Sequence, residues 1–201
     1  MISTEVKNHL SKDKKLKSII DRITLEAPVQ RTDLYLNLLR AIAGQQLSVK
    51  AAATIWNRVQ ALFPENYPDA PAVLTMDIEK LRGAGLSYQK AGYLKNIAQF
   101  SLDQTLDYKK LKKQTDDELI TYLTQIKGVG RWTVEMILMF CLVRENILPL
   151  DDLGIQNSIK RIYKLETTGK ALKADMETLS KKWQPYRTFA CMYLWRSLEL
   201  N

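Results

Sequence analysis

The chain has 201 residues, 46% of them hydrophobic, which is enough for one compact core or two closely packed lobes. No apolar run reaches the ~18 residues of a membrane span, and the first residues lack the apolar core of a signal peptide, so we expect a soluble intracellular protein. The net charge of +8 favours a polyanionic partner. With one histidine, His9, and two cysteines, Cys141 and Cys191, the sequence lacks the ligands for a zinc site or an iron–sulfur cluster.

The first third of the chain contains three predicted helices and one unusual junction. Residues 5–20 have the pattern of a basic amphipathic helix, residues 33–43 carry leucine and isoleucine at helical spacing, and residues 49–63 form an alanine-rich helix with Ser48 as N-cap. Between the last two lies the segment 44–47, Gly-Gln-Gln-Leu. A glutamine pair between two apolar helices is either a polar helix junction or a functional loop, and the residues alone leave both open.

The middle third begins with a proline-containing loop over residues 64–71, which we interpret as the clearest linker of the chain. A short helix closed by glycines follows, and Ser87 caps a helix over residues 88–102. We interpret the glycine-containing turn between these two helices as structural. Lys90 is a candidate phosphate contact.

The most informative stretch is a very short turn between apolar helices over residues 116–123 and 132–143. The turn, residues 127–130, reads Lys-Gly-Val-Gly. Its glycines allow a close approach of another molecule to the backbone, and the N–H groups that open the second helix form a site for an anion such as a DNA phosphate. Arg131 adds a charged donor. A G-x-G between helices is also a common tight turn, so the motif by itself fits an anchor or a turn.

The last third contains two candidate features. Asp151 and Asp152 precede a helix over residues 153–163, where aspartates usually serve as N-caps. A C-terminal helix begins with Pro185 at an early position and carries aromatic residues through Trp195, which by default belong to a core. No segment alternates over the length of a strand, so we expect an all-α fold.

Together these motifs resemble the helix-hairpin-helix (HhH-GPD) DNA glycosylase superfamily, and within it the DNA-3-methyladenine glycosylase II branch. The resemblance covers about residues 33–199 and rests on three separate motifs in the family's order: K-G-V-G then R-W-T at 127–133, Asp152, and W-x-P-Y-R…L-W at 183–195. The pattern G-L-S, then K-A, at 85–91 supports it. It implies one HhH-GPD domain of two helical lobes over residues 1–201. The middle lobe would span about 33–130, the terminal lobe 1–32 with 131–201, and a cleft between them would hold Asp152.

The resemblance also implies a role for each site residue. Asp152 would be the catalytic carboxylate, with Asp151 as the alternative. The remaining roles are a DNA wedge at Gln46 or Leu47 beside a groove-contacting Gln45, phosphate binding at Gly128, Gly130 and Arg131, and a base pocket of Trp132, Met136 and Trp195. Met136 stands at a position that is aromatic in some relatives. Bifunctional relatives use a lysine two residues after the second hairpin glycine, where this chain has Trp132, so no lyase activity is expected.

The implied function is a monofunctional glycosylase that removes alkylated purines, of the 3-methyladenine and 7-methylguanine type, from double-stranded DNA during base-excision repair. The alternatives are a glycosylase for an oxidised or deaminated base, and a non-catalytic HhH module that only binds DNA. We expect a monomer with no cofactor or metal apart from a possible monovalent cation on the hairpin carbonyls. Its place would be the cytoplasm and nucleoid of a bacterium or archaeon, or the nucleus of a eukaryote.

Overall fold

Helices account for all regular secondary structure in residues 1–200, the part of the chain that the computed structural model describes. This confirms the all-α prediction. The thirteen α-helices are α1 Thr4–Leu10, α2 Lys14–Ile20, α3 Leu34–Gly44, α4 Val49–Gln60, α5 Ala70–Thr75, α6 Ile78–Gly83, α7 Tyr88–Asp103, α8 Tyr108–Leu111, α9 Asp116–Leu123, α10 Arg131–Phe140, α11 Leu153–Tyr163, α12 Gly169–Ser180 and α13 Arg187–Ser197. Two short 3-10 helices lie at Pro64–Asn66 and Lys181–Trp183. Within the described residues, none of the helices combines the length and the apolar character that crossing a membrane demands.

The helices form two compact units. The middle unit is Gln30–Ile137, with α3 to α9 and most of α10. The terminal unit combines Met1–Val29 with the chain from Leu138 onward.

Helix α7 is the centre of the middle unit. Helices α3, α5 and α6 pack on it, and α4 packs on α3. Four residues of α7 are fully buried in this packing: Ala91, Leu94, Ile97 and Ala98. The N-caps predicted for α4 and α7 are confirmed, because Ser48 accepts a hydrogen bond from the N–H of Ala51 and Ser87 accepts one from the N–H of Lys90. Local capping therefore fixes where both helices begin.

Three predicted elements are wrong in their extent. The first is the single helix over residues 5–20, which is two helices. The side chain of Asp13 accepts hydrogen bonds from the N–H groups of Lys15 and Leu16, so it caps α2 and separates it from α1.

The second is the linker over residues 64–71, which is folded into the middle unit. It contains a 3-10 turn and the start of α5, and the Tyr35 hydroxyl donates a hydrogen bond of 2.8 Å to the carbonyl of Pro68. The third is the C-terminal helix, which begins at Arg187 and not at Pro185. One of the first N–H donors of α13 has a partner outside the helix: the Thr188 N–H donates to the carbonyl of Glu145 at 2.9 Å.

The terminal unit is organised around a buried carboxylate, Asp13, which is only 7% exposed. It accepts hydrogen bonds from the hydroxyl of Tyr163, from the indole N–H of the fully buried Trp183 at 3.0 Å, and from the ammonium of Lys182 at 2.9 Å. Burial by itself would raise the pKa of Asp13, but the hydrogen bonds from Tyr163, Trp183 and Lys182 outweigh it and hold the pKa below its usual value. This one side chain thus ties α2 to α11 and to the 3-10 turn before α13.

Asp13→Asn should lower the free energy of unfolding at pH 7 by about 2–3 kcal/mol, since it weakens hydrogen bonds to a charged acceptor. Because the pKa of Asp13 is lowered on folding, its stabilisation is complete above the ordinary value of 3.8 and is lost as the pH falls through the folded-state pKa. The difference in the free energy of unfolding between the wild type and Asp13→Asn, measured by denaturant unfolding, should therefore become smaller as the pH falls below 3.8. The control is Asp21→Asn, which removes an exposed pair with Lys17 on the same helix and should cost about 0.5 kcal/mol or less. Equal losses for both variants would contradict this role of Asp13.

Candidate active site

Asp152 is the N-cap of α11 and is 9% exposed. Its Oδ1 accepts a hydrogen bond of 2.8 Å from the N–H of Ile155 and a second of 2.8 Å from the indole Nε1–H of Trp195. The capping interpretation and the functional interpretation of this residue are therefore compatible. The backbone donor and the indole donor together fix the orientation of the carboxylate at the start of the helix.

Asp151, the neighbouring alternative, has a different environment. Its side chain is 53% exposed and forms an ion pair with Lys173. An exposed pair of this kind is well solvated and weakly coupled to its surroundings. Of the two aspartates, Asp152 is the one that contacts a predicted pocket residue.

Trp195 is half-buried on α13 and packs against a second ring. The centroid of the Phe140 ring lies 6.0 Å from that of Trp195, with 33° between the planes. Gly154 lies close to both the indole and the carboxylate: a Cβ at this position would be 3.0 Å from Cδ1 of Trp195 and 3.1 Å from Oδ1 of Asp152. A glycine in the first turn of α11 thus lets the helix approach the indole and the carboxylate closely.

The hairpin of residues 127–130 connects α9 to α10, as predicted. Gly128 has φ 104°, and a Cβ there would lie 2.2 Å from Cγ of Tyr93, so only glycine fits. Val129 is 4% exposed and packs inward. Gly130 is exposed, and its carbonyl accepts the N–H of Val134 in the first turn of α10. The hairpin backbone is accessible on the side where that helix begins.

Arg131, the predicted charged donor, has a side chain that is 58% exposed. Its Nε donates a hydrogen bond of 3.0 Å to Glu135, whose side chain is 4% exposed. The pair orients the guanidinium beside the hairpin, and its exposure makes it accessible to a phosphate. Trp132 and Met136 follow on α10, both half-buried and one helical turn apart on the same face.

Within the segment 44–47, residues Gln45, Gln46 and Leu47 differ in exposure. The side-chain amide of Gln45 is half-buried and donates a hydrogen bond of 3.0 Å to the hydroxyl of Thr133. Gln46 is exposed with φ 58°, and Leu47 is 39% exposed. Gln45 is thus held against α10, whereas Gln46 and Leu47 are accessible. Their roles toward DNA stay predictions, as do those of the hairpin and pocket residues.

Three contacts around these residues were not predicted. Phe140 follows Met136 at the spacing that separates Met136 from Trp132, so the helical period was a usable signal for it. A glycine within the first turn of a helix, as at Gly154, also signals a close approach. Lys90 carries no such signal. Its ammonium donates to the carbonyls of Ala43 and Gln45, at 3.0 and 2.8 Å, where a phosphate contact had been proposed.

Comparison with known proteins identifies the family. The model of the HhH-GPD superfamily of base excision DNA repair proteins matches residues 39–185. The chain belongs to this HhH-GPD superfamily. It is 36% identical to DNA-3-methyladenine glycosylase 1 of Schizosaccharomyces pombe over 192 residues, which cover 93% of this chain and 82% of that protein.

Two solved structures of HhH-GPD relatives agree with this assignment. The 3-methyladenine DNA glycosylase of Schizosaccharomyces pombe in complex with abasic DNA matches with a TM-score of 0.88 and 34% identity, covering 98% of both chains. A DNA-3-methyladenine glycosidase from Bacillus halodurans matches with a TM-score of 0.79 and 32% identity, covering 98% of this chain and 90% of that one. The predicted superfamily is therefore confirmed.

Asp152→Asn should shift the indole N–H resonance of Trp195 upfield in a proton–nitrogen NMR spectrum, since an amide oxygen is a weaker acceptor than a carboxylate. The resonance is assigned by its loss in Trp195→Phe. Asparagine is as good an N-cap as aspartate, so α11 should remain folded. Asp151→Asn, which disrupts only the pair with Lys173, is the matched control and should leave the resonance in place. An unchanged resonance in Asp152→Asn would show that the indole does not bind this carboxylate.

Proposed function

We propose that this HhH-GPD protein is a monofunctional DNA glycosylase that hydrolyses the N-glycosidic bond of alkylated purines in double-stranded DNA. The observation that carries the proposal is the carboxylate of Asp152, held by the indole of Trp195 at the start of α11. The relatives named above are DNA-3-methyladenine glycosylases, which favours 3-methyladenine and 7-methylguanine as the substrate class.

Access to the glycosidic bond requires the nucleotide to leave the base stack, which costs a few kcal/mol in an intact duplex. The exposed residues Gln46 and Leu47 are suited to fill the space that the nucleotide leaves. The backbone of Gly128 and Gly130 and the guanidinium of Arg131 are suited to hold a DNA phosphate. The net charge of +8 supports a polyanionic partner.

The leaving group explains why few catalytic side chains are needed. An N3- or N7-alkylated purine carries a positive charge, so it departs as a neutral base without protonation by a general acid. Before departure, the cation is attracted to electron-rich ring faces, each contributing about 0.5–2 kcal/mol. Trp132 and Trp195 are the proposed rings, and the polarizable thioether of Met136 is a third base contact.

The role proposed for Asp152 follows from the charge that develops on the sugar. As the bond to the base breaks, its electron pair goes to the purine and C1′ becomes cationic. A nearby carboxylate stabilises that charge and orients the water whose oxygen bonds to C1′, while one water proton is released. The hydrogen bonds from Ile155 and Trp195 hold the carboxylate in place before the reaction, which reduces the reorganisation required.

Other properties of the proposed enzyme follow from the same chemistry. The reaction needs no cofactor, because the lesion supplies its own charge. We propose that the protein acts as a monomer on a single lesion, and that a monovalent cation on the hairpin carbonyls would strengthen phosphate binding. The site of action is chromosomal DNA, in a nucleoid or a nucleus.

Asp152→Asn should reduce the release of 7-methylguanine from methylated duplex DNA by at least about 100-fold, because the developing sugar cation loses its carboxylate. Binding to abasic-site DNA should remain close to that of the wild type, since the hairpin and the segment 44–47 are unchanged. Base release is measured by chromatography and binding by fluorescence anisotropy.

Asp151→Asn is the matched control and should retain base release. Full activity in Asp152→Asn would rule out the proposed mechanism. Release of an oxidised or deaminated base in preference to alkylated purines would contradict the substrate class, and DNA binding without any base release would indicate a non-catalytic module.

No covalent complex with DNA should form when the wild-type protein is treated with borohydride during the reaction, because Trp132 offers no amine for a Schiff base. The variant Trp132→Lys should also give no trapped complex, since an attacking amine must be oriented toward C1′ by its surroundings. Denaturing gel electrophoresis of the borohydride-treated mixture detects a trapped species. A trapped complex with the wild type would disprove the monofunctional assignment.

A further inference from the structure

The middle unit contains a lysine whose ammonium is directed at the protein backbone. Lys90, near the start of α7, donates hydrogen bonds to the carbonyl of Ala43 at 3.0 Å and to that of Gln45 at 2.8 Å. These carbonyls belong to the C-terminal end of α3, where the helix dipole is negative and the chain turns into the segment 44–47. Desolvation by burial lowers the pKa of Lys90. The ammonium therefore acts as an internal clamp immediately before the exposed Gln46 and Leu47.

The same helix contacts the hairpin one and two turns further on. The ring of Tyr93 lies directly against Gly128, so closely that a Cβ there would come within 2.2 Å of Cγ. The side-chain amide of Asn96 donates a hydrogen bond of 3.0 Å to the carbonyl of Lys127. One aromatic face and one amide thus fix the position and the path of the hairpin backbone.

Helix α7 therefore lies between two segments with proposed DNA contacts and is bonded to both. From Lys90 to Asn96 it rises about 9 Å, at the usual 1.5 Å per residue. A direct link completes the arrangement, since the Gln45 amide donates to Thr133 in the helix that follows the hairpin. The core residues of α7 are fully buried, so the helix is a rigid support for both segments.

We propose that α7 sets the spacing between the segment 44–47 and the hairpin 127–130, and that Lys90 is a positioning residue that holds the segment in the form that enters DNA. The proposal rests on the function proposed above. Extrusion of a nucleotide requires insertion and phosphate anchoring on one duplex at the same time, so the distance between the two segments matters. Lys90 would then act through Gln46 and Leu47 and not through a DNA phosphate.

The test compares Lys90→Met with Lys95→Met. Both substitutions remove one positive charge from α7. Lys90→Met removes two ammonium–carbonyl hydrogen bonds to the end of α3, whereas Lys95→Met removes one, to the carbonyl of Leu74 in α5 at 3.0 Å. Single-turnover release of 7-methylguanine is measured from two duplexes, one with the lesion paired to cytosine and one with the lesion in an unpaired bulge. The bulge reduces the cost of extrusion, so it depends less on insertion.

Lys90→Met should slow release from the paired lesion by about tenfold, as expected for the loss of charged hydrogen bonds, and should affect the bulged lesion by less than about threefold. Lys95→Met should change both rates by less than about twofold. Lys90→Arg, which retains charged donors, should restore most of the activity on the paired lesion. If Lys90→Met unfolds at the assay temperature, Lys90→Gln takes its place, with the same expected order of the two substrates.

Equal slowing on both duplexes would overturn the inference, because it would indicate a general loss of structure. The slope of the logarithm of the binding constant against the logarithm of the salt concentration is a second readout. A slope smaller in magnitude by about one for Lys90→Met than for Lys95→Met would also overturn the inference, because it would identify a phosphate contact. A wild-type protein that releases no base contradicts only the proposed function. In that case, 2-aminopurine at the lesion position reports unstacking directly, and equal fluorescence with wild type and Lys90→Met would disprove positioning by Lys90.

Discussion

The convergence of two N–H donors on one oxygen of Asp152 is the interaction on which the geometry of the candidate site depends. The donor from Ile155 is part of ordinary helix capping, and the donor from Trp195 comes from α13, far along the chain. Hydrogen bonds to a charged acceptor contribute about 1.5–3 kcal/mol each, so the pair holds both α11 and the indole in defined positions. A structural role of this carboxylate is therefore compatible with the catalytic role proposed for it. Helix capping would provide the orientation that the proposed chemistry requires.

In the middle unit, too, a charged side chain pairs with the unsatisfied backbone groups of a helix end, but here the side chain is a cation and the backbone groups are carbonyls. The last carbonyls of α3 lack partners within the helix, and the ammonium of Lys90 satisfies two of them. A half-buried ammonium is costly to desolvate, and the lowered pKa of Lys90 reflects that cost. A solvated lysine at the same place would neutralise a phosphate at no such cost. The observed geometry thus indicates that the Lys90 ammonium serves to order the segment 44–47 and not to attract DNA.

Local signals in the sequence were sufficient for part of this structure. The all-α class follows from apolar periodicity, and the helix starts at Ser48, Ser87 and Asp152 follow from side chains that cap their own helix. The apolar periodicity continues through Asp13 and predicts one long N-terminal helix, but Asp13 caps α2 and divides this segment into two helices. The contacts that Asp13 makes with Tyr163 and Trp183 link residues far apart in sequence, and no local pattern encodes such pairs. The same is true of Trp195 with Phe140 and of Lys90 with Gln45.

For the candidate site residues, the resemblance suggests the roles and the structure adds the physical reasons for the residue types. The turn of residues 127–130 is compatible with an ordinary tight turn, and only the surrounding motifs suggested a DNA anchor. The structure adds the reason for its first glycine, since Tyr93 leaves no room for a side chain at Gly128. As possible N-caps, Asp151 and Asp152 are equivalent in the sequence, and the resemblance alone favours Asp152. The fold adds the physical difference: Asp151 forms a solvated ion pair, whereas Asp152 is a buried carboxylate that binds an indole.

This arrangement also bears on how undamaged DNA would be spared. If the substrate is a cationic purine, its leaving ability exceeds that of a normal purine before any protein contact is made. A carboxylate that stabilises the sugar cation then accelerates the release of alkylated and of normal purines alike. The electron-rich ring faces add a preference for the charged base. Discrimination would come from the lesion's own charge more than from hydrogen bonds to a base edge. Such an enzyme needs accurate placement of a few rigid groups. The close contacts at Gly128 and Gly154 and the hydrogen bonds of Lys90 hold their segments in defined positions.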